Sequence, residues 1–396
     1  MQIENLKNCT GCSACFASCP KNAISLVPNE EGFLYPQIDS TKCIQCGLCE
    51  KVCPALNIQQ EVNQNSKAFA VINNDEKIRM ESSSGGVFTA VAKKVIEENG
   101  IVFGVKLDKY QKAVFSFTET EEGLSDFRGS KYVQTEVGNA FKECKKFLIE
   151  NKKVLFTGTP CQIEGLKLFL GKEYENLLTM DIICHGVPSP LVWKNYTEFR
   201  EKKFASRIVK TAFRRKNDGW KQYSLSFTFA NDSEYCASLI KDPYLRIFLK
   251  DVCLRESCYN CPSKKINRVS DITIADFWGI KNFAPEFDDD KGTSLVIVHS
   301  KKGEEIVSDL ENCRVKEITL ENGLKYNPAM VKSCVRPKVR ECFFDDLNKN
   351  SFGKVLGKYS KEKLGFRVKV FVARCGRRIL GDSGVKAVKK MLGRGK

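Results

Sequence analysis

The sequence predicts an α/β protein built from more than one unit, and three observations carry that prediction. A four-cysteine run occurs twice near the start, as Cys9-x2-Cys12-x2-Cys15-x3-Cys19-Pro20 and Cys43-x2-Cys46-x2-Cys49-x3-Cys53-Pro54. From Ala68 onward, short apolar runs alternate with stretches of helical periodicity, the order that builds a layered α/β core. At 396 residues the chain has room for two or three units.

The two runs form the first unit, residues 1–60. Three thiolates spaced by two residues wrap three corners of one iron–sulfur cubane, and the fourth ligand arrives from elsewhere in the fold. In two-cluster bacterial-type ferredoxins the runs exchange their last cysteine. One [4Fe-4S] cluster is therefore assigned to Cys9, Cys12, Cys15 and Cys53, and the other to Cys43, Cys46, Cys49 and Cys19. Structural zinc needs only four ligands, usually as two Cys-x2-Cys pairs, and does not call for a duplicated run ending in Cys-Pro.

A polar linker, Gln59 to Ser66, leads to a second unit, residues 66–150. An apolar run, Ala68 to Ile72, reads as a buried strand and is followed by Ser82-Ser83-Ser84-Gly85-Gly86. Val87, Phe88, Val91, Val95 and Ile96 then fall on one side of a helix. Strands are expected at Ile101–Val105 and Val114–Phe117, and a helix near Asn139–Ile149. The third unit, residues 151–330, opens with a strand, Val154–Phe156, that runs into Thr159-Pro160-Cys161. A further strand, Leu177–Ile183, ends at Cys184-His185-Gly186. Tyr223, Leu225, Phe227 and Phe229 alternate with small polar residues as in a half-buried strand, and Asp271–Ala275 and Ser294–Val298 read as strands. Residues 331–396 are read as an extension.

The start of the chain shows neither a basic segment nor an apolar run, and no stretch of eighteen apolar residues occurs. The expectation is a cytoplasmic protein. Of the formal net charge of +16, the segment from Lys354 to Lys396 carries most, with fourteen Lys or Arg against Glu362 and Asp382. There Leu364, Phe366, Val370, Val372, Ile379, Leu380, Val385 and Met391 alternate with basic residues. A cationic amphipathic helix of this kind suits an anionic membrane surface at the inner face, a docking partner or plain solvation. Regularly interleaved aromatics of a base-stacking surface are missing, so nucleic acid is not an expected partner.

Within the large region, a serine-glycine turn before a helix is a phosphate cradle in principle and a plain helix start in the bland case. Cys161 and Cys184 at strand ends, with Cys258-x2-Cys261, could assemble a third [4Fe-4S] cluster or be ordinary buried thiols. A Cys184 and His185 nucleophilic pair is disfavoured, because adjacent strand residues point to opposite faces. Cys144, Cys236, Cys313, Cys334, Cys342 and Cys375 are read as packing residues.

The ordered set Ser84-Gly85-Gly86, Gly129-Ser130-Lys131-Tyr132, Thr159-Pro160-Cys161-Gln162, Cys184-His185-Gly186, Cys258-x2-Cys261 and Ala275-Asp276-Phe277-Trp278-Gly279 resembles the family of coenzyme F420 hydrogenase and dehydrogenase beta subunits. The resemblance spans roughly Cys9 to Val298. It implies an α/β flavin-binding core behind the ferredoxin unit, and the basic helical C-terminal extension departs from the shorter family members. It also implies an oxidoreductase passing electrons between clusters, FAD and a two-electron acceptor such as a deazaflavin or another small organic substrate. Carried over, Cys161, Cys184, Cys258 and Cys261 would hold the third cluster, with Cys253 in reserve. Ser84, Gly85 and Gly86 would meet the FAD pyrophosphate, with Lys131, Tyr132 and Asp276 near the flavin. Relatives with such extensions look like proteins made alongside surface-polysaccharide enzymes. Electron donor or acceptor proteins are the implied partners, and a non-catalytic electron-transfer subunit is the alternative.

Overall fold

A computed structural model describes residues 2–58 and 66–361. In the N-terminal unit a hairpin of β1 (Ile24–Pro28) and β2 (Leu34–Ile38) separates two short helices, Ala14–Ser18 and Leu48–Lys51, each inside a cysteine run. Beyond it lie strands β3 (Lys67–Asn73), β4 (Ile101–Leu107), β5 (Ala113–Thr118), β6 (Val154–Gly158), β7 (Leu177–Ile182), β8 (Ile208–Arg215), β9 (Ser224–Phe229), β10 (Glu234–Ser238), β11 (Ile272–Asp276), β12 (Ser294–Val298) and β13 (Cys313–Ile318).

Eight strands form one mixed sheet in the order β13-β3-β12-β11-β7-β6-β4-β5. The middle four, β11, β7, β6 and β4, run parallel, and the flanking pairings are antiparallel. Helices cover both faces, as the period of two in β6 requires. Leu155 packs with Val91 and Val95 of the helix Val87–Glu97. Val154 and Phe156 face the opposite side, with Phe141 of the helix Ala140–Ile149 and Ile163 and Leu166 of the helix Pro160–Leu170.

A second, three-stranded antiparallel sheet, β10-β9-β8, packs with the helix Pro190–Phe204 around an aromatic core that includes Trp193, Tyr196, Phe213, Phe227 and Tyr244. The sequence reads the 223–229 segment as half-buried. Instead Ser224 and Ser226 are buried along with the aromatic residues, so both faces are closed. Part of the segment read as an extension from 331 also belongs to this core. The helices Arg340–Lys349 and Phe352–Tyr359 insert Phe343, Phe344, Val355 and Leu356 into it. The basic stretch from 362 lies outside the described residues.

His299, just past β12, is buried between Ser66 Oγ, 3.0 Å from Nδ1, and Thr273 Oγ1, 2.9 Å from Nε2. Burial, reinforced by Arg268, lowers its pKa to about 3, while Asp271 opposes the shift. The unfolded chain therefore takes up this proton first, and the ring's contribution to stability, full above its ordinary pKa of 6.5, is lost as pH falls towards 3. Between pH 7.5 and 5.5, we expect His299→Gln to lose about 1.4 kcal/mol less stability than the parent chain, read from urea midpoints. Parallel losses in the two proteins would reject the assignment.

Candidate cluster and flavin site

Parallel strands present their C-terminal ends along one edge, where open α/β sheets bind ligands. β6 ends there in Thr159-Pro160-Cys161, β7 in Cys184 and β11 in Asp276. Thr159 caps the helix Pro160–Leu170, whose N3 residue Gln162 accepts back from the Thr159 N–H at 2.9 Å. Cys161 thereby sits in the first helical turn, where the helix dipole favours negative charge. Cys258 and Cys261 arrive on the turn Glu256–Asn260 and the residue after it.

The four thiols line one cavity. Burial pushes their pKa values up, that of Cys258 to about 12. Bare thiolates would be costly there, and four converging thiols form a donor set that suits a cationic metal core. Its wall is also basic: Lys264 donates to the Cys184 and Ala329 carbonyls, and Arg268 pairs with Asp181 at 2.9 Å. The Val187 N–H points to Cys258 Sγ at 3.4 Å.

In the N-terminal unit, Cys9, Cys12, Cys15 and Cys53 line one cavity, and Cys19, Cys43, Cys46 and Cys49 line another. The first adjoins the large sheet. Thr10 lines both it and the cavity of Cys161, and the helix Pro160–Leu170 meets Cys12 at Gly165, where an added Cβ would lie 2.9 Å from Sγ. The other cavity is on the outside, where Cys46, Ile44 and Leu48 are exposed.

The serine-glycine turn lies at the same sheet edge. Gly85 is packed too closely for a side chain, since a Cβ would stand 2.3 Å from the Val71 carbonyl oxygen, and its N–H donates to Ser294 Oγ. Gly86, at φ 87°, precedes the helix Val87–Glu97, which carries no side-chain cap. Ser83 Oγ accepts from the Ser130 N–H at 2.7 Å, joining this turn to the Gly129–Tyr132 segment. Lys131 is half-buried, donates to the Asp126 and Arg128 carbonyls, and is pulled by burial to about 7.

Two cations from the end of β8, which sequence reasoning missed, tie these motifs together. Buried Arg214 pairs with Asp276 at 2.6 Å and reaches Tyr132 OH at 3.3 Å. Its Nε and Nη2 are buried without a hydrogen-bond partner among the described residues. Buried Lys216 donates to the Arg79, Ser84 and Lys291 carbonyls, each at 2.7 Å, and burial beside Arg214 lowers its pKa to about 7. Trp220 and Trp278 stack at 4.8 Å, and Trp220 donates to Asp276. Arg214 thus joins Tyr132 to Asp276, and Lys216 holds the Ser84 carbonyl of the serine-glycine turn.

Other expectations need correction. Cys253 is fully buried in the aromatic core and does not line the cavity, because the chain turns it inward before reaching Cys258. Cys236 and Cys342 are exposed, so neither packs a core, whereas Cys144 does. Cys334 stands beside His185, whose Nε2 also meets Asp251 at 2.6 Å. Cys375 lies outside the described residues. Among the described residues no helix is long and apolar enough to cross a membrane.

A 4Fe-4S dicluster domain matches residues 8–57. The chain is 24% identical over 189 residues to one of the subunits of the F420H2 dehydrogenase of Methanosarcina mazei, covering 44% of this chain and 53% of that protein. It is 27% identical over 185 residues to the coenzyme F420-dependent sulfite reductase of Methanocaldococcus jannaschii, 46% of this chain and 28% of the other. The chain thus spans about half or less of these two relatives. A third relative, an uncharacterized protein of M. jannaschii, is 24% identical over 346 residues, 76% of this chain and 86% of its own length. A solved F420-reducing [NiFe] hydrogenase complex from Methanosarcina barkeri contains a chain 16% identical, with a TM-score of 0.46, over 69% of this chain and 90% of that one. The N-terminal part of the coenzyme F420 hydrogenase/dehydrogenase beta subunit matches residues 68–142 and its C-terminal part residues 151–322, so the chain belongs to this family of beta subunits, with an iron–sulfur dicluster domain in front.

Proposed function

We propose that this chain is an iron–sulfur flavoprotein oxidoreductase that exchanges single electrons with a partner protein and electron pairs with a small organic acceptor, a deazaflavin of the F420 class being the first candidate. The observation that carries the reading is the convergence of Cys161, Cys184, Cys258 and Cys261 on one cavity that shares Thr10 with the cavity of Cys9, Cys12, Cys15 and Cys53. The segments we propose are 1–60, 66–150 and 151–330, the latter two sharing one eight-stranded sheet, with the basic segment after 361 as a contact for an anionic surface.

The residues present fit both groups. Four half-buried thiols would hold a third [4Fe-4S] cluster, with Lys264 offsetting its negative charge. For FAD, Arg214 offers two buried N–H groups that lack an acceptor. The uncapped helix behind Gly86 offers free backbone donors to a pyrophosphate. Bound there, a flavin would supply the conversion between one-electron and two-electron chemistry. Asp276 holds Arg214 in place, the paired rings of Trp220 and Trp278 keep water from the Asp276 side, and Lys216 pins the Ser84 carbonyl so that the turn keeps its shape.

Iron, sulfide and flavin content of one anaerobically purified sample tests the reading. We expect roughly 12 iron atoms and one FAD per chain. Two clusters' worth of iron and no flavin would leave the alternative, an electron-transfer subunit that docks a partner enzyme.

A further inference from the structure

Arg255 is fully buried, and its side chain leaves the large unit to end inside the N-terminal one. Nε donates to the Cys9 carbonyl at 2.7 Å, Nη2 to the Leu34 carbonyl at 3.0 Å, and Nη1 to Gln134 Oε1 at 2.9 Å. The guanidinium lies 4.2 Å from the Tyr35 ring centroid. Gln134 in turn donates to the Thr10 carbonyl at 3.3 Å. On its own main chain, the Arg255 carbonyl accepts from the Cys258 N–H at 2.9 Å. One residue therefore touches the first cysteine run with its side chain and the Cys258 turn with its backbone.

The charge on this side chain is permanent, since arginine stays protonated inside proteins. An unpaired buried charge is strongly unfavourable. Other buried arginines here receive a carboxylate: Arg340 has Glu31, Arg214 has Asp276, and Arg268 has Asp181. Among the described residues, every hydrogen-bond acceptor of Arg255 is a neutral oxygen. Among the described residues no carboxylate accepts from this guanidinium, and the compensating negative charge is expected from what the two neighbouring thiol sets hold.

We propose that Arg255 is the shared counter-ion of two clusters, the one held by Cys9, Cys12, Cys15 and Cys53 and the one held by Cys161, Cys184, Cys258 and Cys261. This rests on the cluster assignments of the proposed function. A thiolate-ligated cluster gains one negative charge on reduction, so a fixed cation beside it favours the reduced form and raises the potential. Among the described residues Arg255 donates to the Cys9 carbonyl and accepts from the Cys258 N–H, and its other side-chain acceptors, Leu34 and Gln134, lie outside the set of Cys19, Cys43, Cys46 and Cys49. Each electron arriving there would pass on to one cluster of the inner pair, leaving the outer cluster oxidised. No proton need follow, because the counter-charge does not titrate. Arg255 makes the inner pair the electron sink of the chain.

The test is a potentiometric titration of the anaerobic full-length holoprotein followed by electron paramagnetic resonance, with iron counted on each sample. Two variants remove the free charge in different ways. Arg255→Gln deletes it, and Gln134→Glu keeps the guanidinium but gives it a carboxylate of nearly the same shape, which guards against loss of the fold. In either variant the reduction equilibrium constants of both inner clusters should fall at least tenfold, 59 mV for one electron, with the outer cluster unmoved. Arg255→Lys should restore most of the shift. Unchanged inner potentials at full iron content overturn the proposal, as does a shift confined to one inner cluster. A parent protein with iron for only two clusters fails the third-cluster assignment instead, a result that the iron count separates from any shift in potential.

Discussion

Replacing Cys161 with Ala should remove about one third of the iron and leave two ferredoxin-type signals intact after reduction. The residue occupies the second position of an 11-residue helix whose cap is made by Thr159 and Gln162, so the backbone keeps its support when the thiol goes. What disappears is one of four ligands converging from β6, β7 and the Cys258 turn. Three thiols do not close the site, and burial makes them poor thiolates on their own, as the upward shift of Cys258 to about 12 shows. With the inner relay gone, reduction of bound flavin by a one-electron donor should fall to background while the N-terminal clusters still reduce normally. Rapid-mixing absorbance separates the two. Full iron content in the variant would remove Cys161 from the ligand set.

Arg214→Met should release the flavin. Each charge-assisted hydrogen bond lost from the unpartnered Nε and Nη2 is worth about 1.5–3 kcal/mol, roughly 10- to 100-fold in retention. The same change strands Asp276, whose carboxylate is buried against Arg214 at 2.6 Å, and breaking such a pair from one side destabilises by about 3–5 kcal/mol. The two effects can be pulled apart. Arg214→Met combined with Asp276→Asn should regain most of the stability and none of the flavin, measured by unfolding midpoint and by fluorescence of released cofactor. A double variant that retains flavin at the parental level would show that Arg214 supports the pocket only through Asp276.

The N-terminal unit was legible because cluster ligation leaves a periodic mark. Two residues between thiols and a closing Cys-Pro are read directly from the chain, and the central strands of the large sheet announce themselves as apolar runs such as Val154–Phe156. Arg214, Lys216 and Arg255 left no such mark. A buried cation looks like a surface one in sequence, and its role depends on contacts up to 246 residues away, the separation of Arg255 from Cys9. β13 was hidden for another reason: Arg314, Lys316 and Glu317 load this edge strand with charge, which guards it against pairing with another chain and erases its apolar signature. The helices after 340 were masked by the basic composition that begins within them and continues beyond 361.

The ion pair between Glu31 and Arg340 joins residues 309 positions apart. Synthesis proceeds from the N-terminus at about 5–20 residues per second, so Glu31 waits roughly 15–60 s for its partner to leave the ribosome. Arg255 reaches Cys9 earlier, yet still after more than half of the chain has been made. During that interval the two-cluster unit exists as a nascent fragment with its inner face bare. Iron–sulfur delivery to the first two runs can precede closure of the large unit, whereas the thiols at 161, 184, 258 and 261 cannot meet until residue 261 has emerged. On the proposed assignments the order of translation becomes an order of maturation, with the two clusters of the N-terminal unit loaded first and the third sealed last.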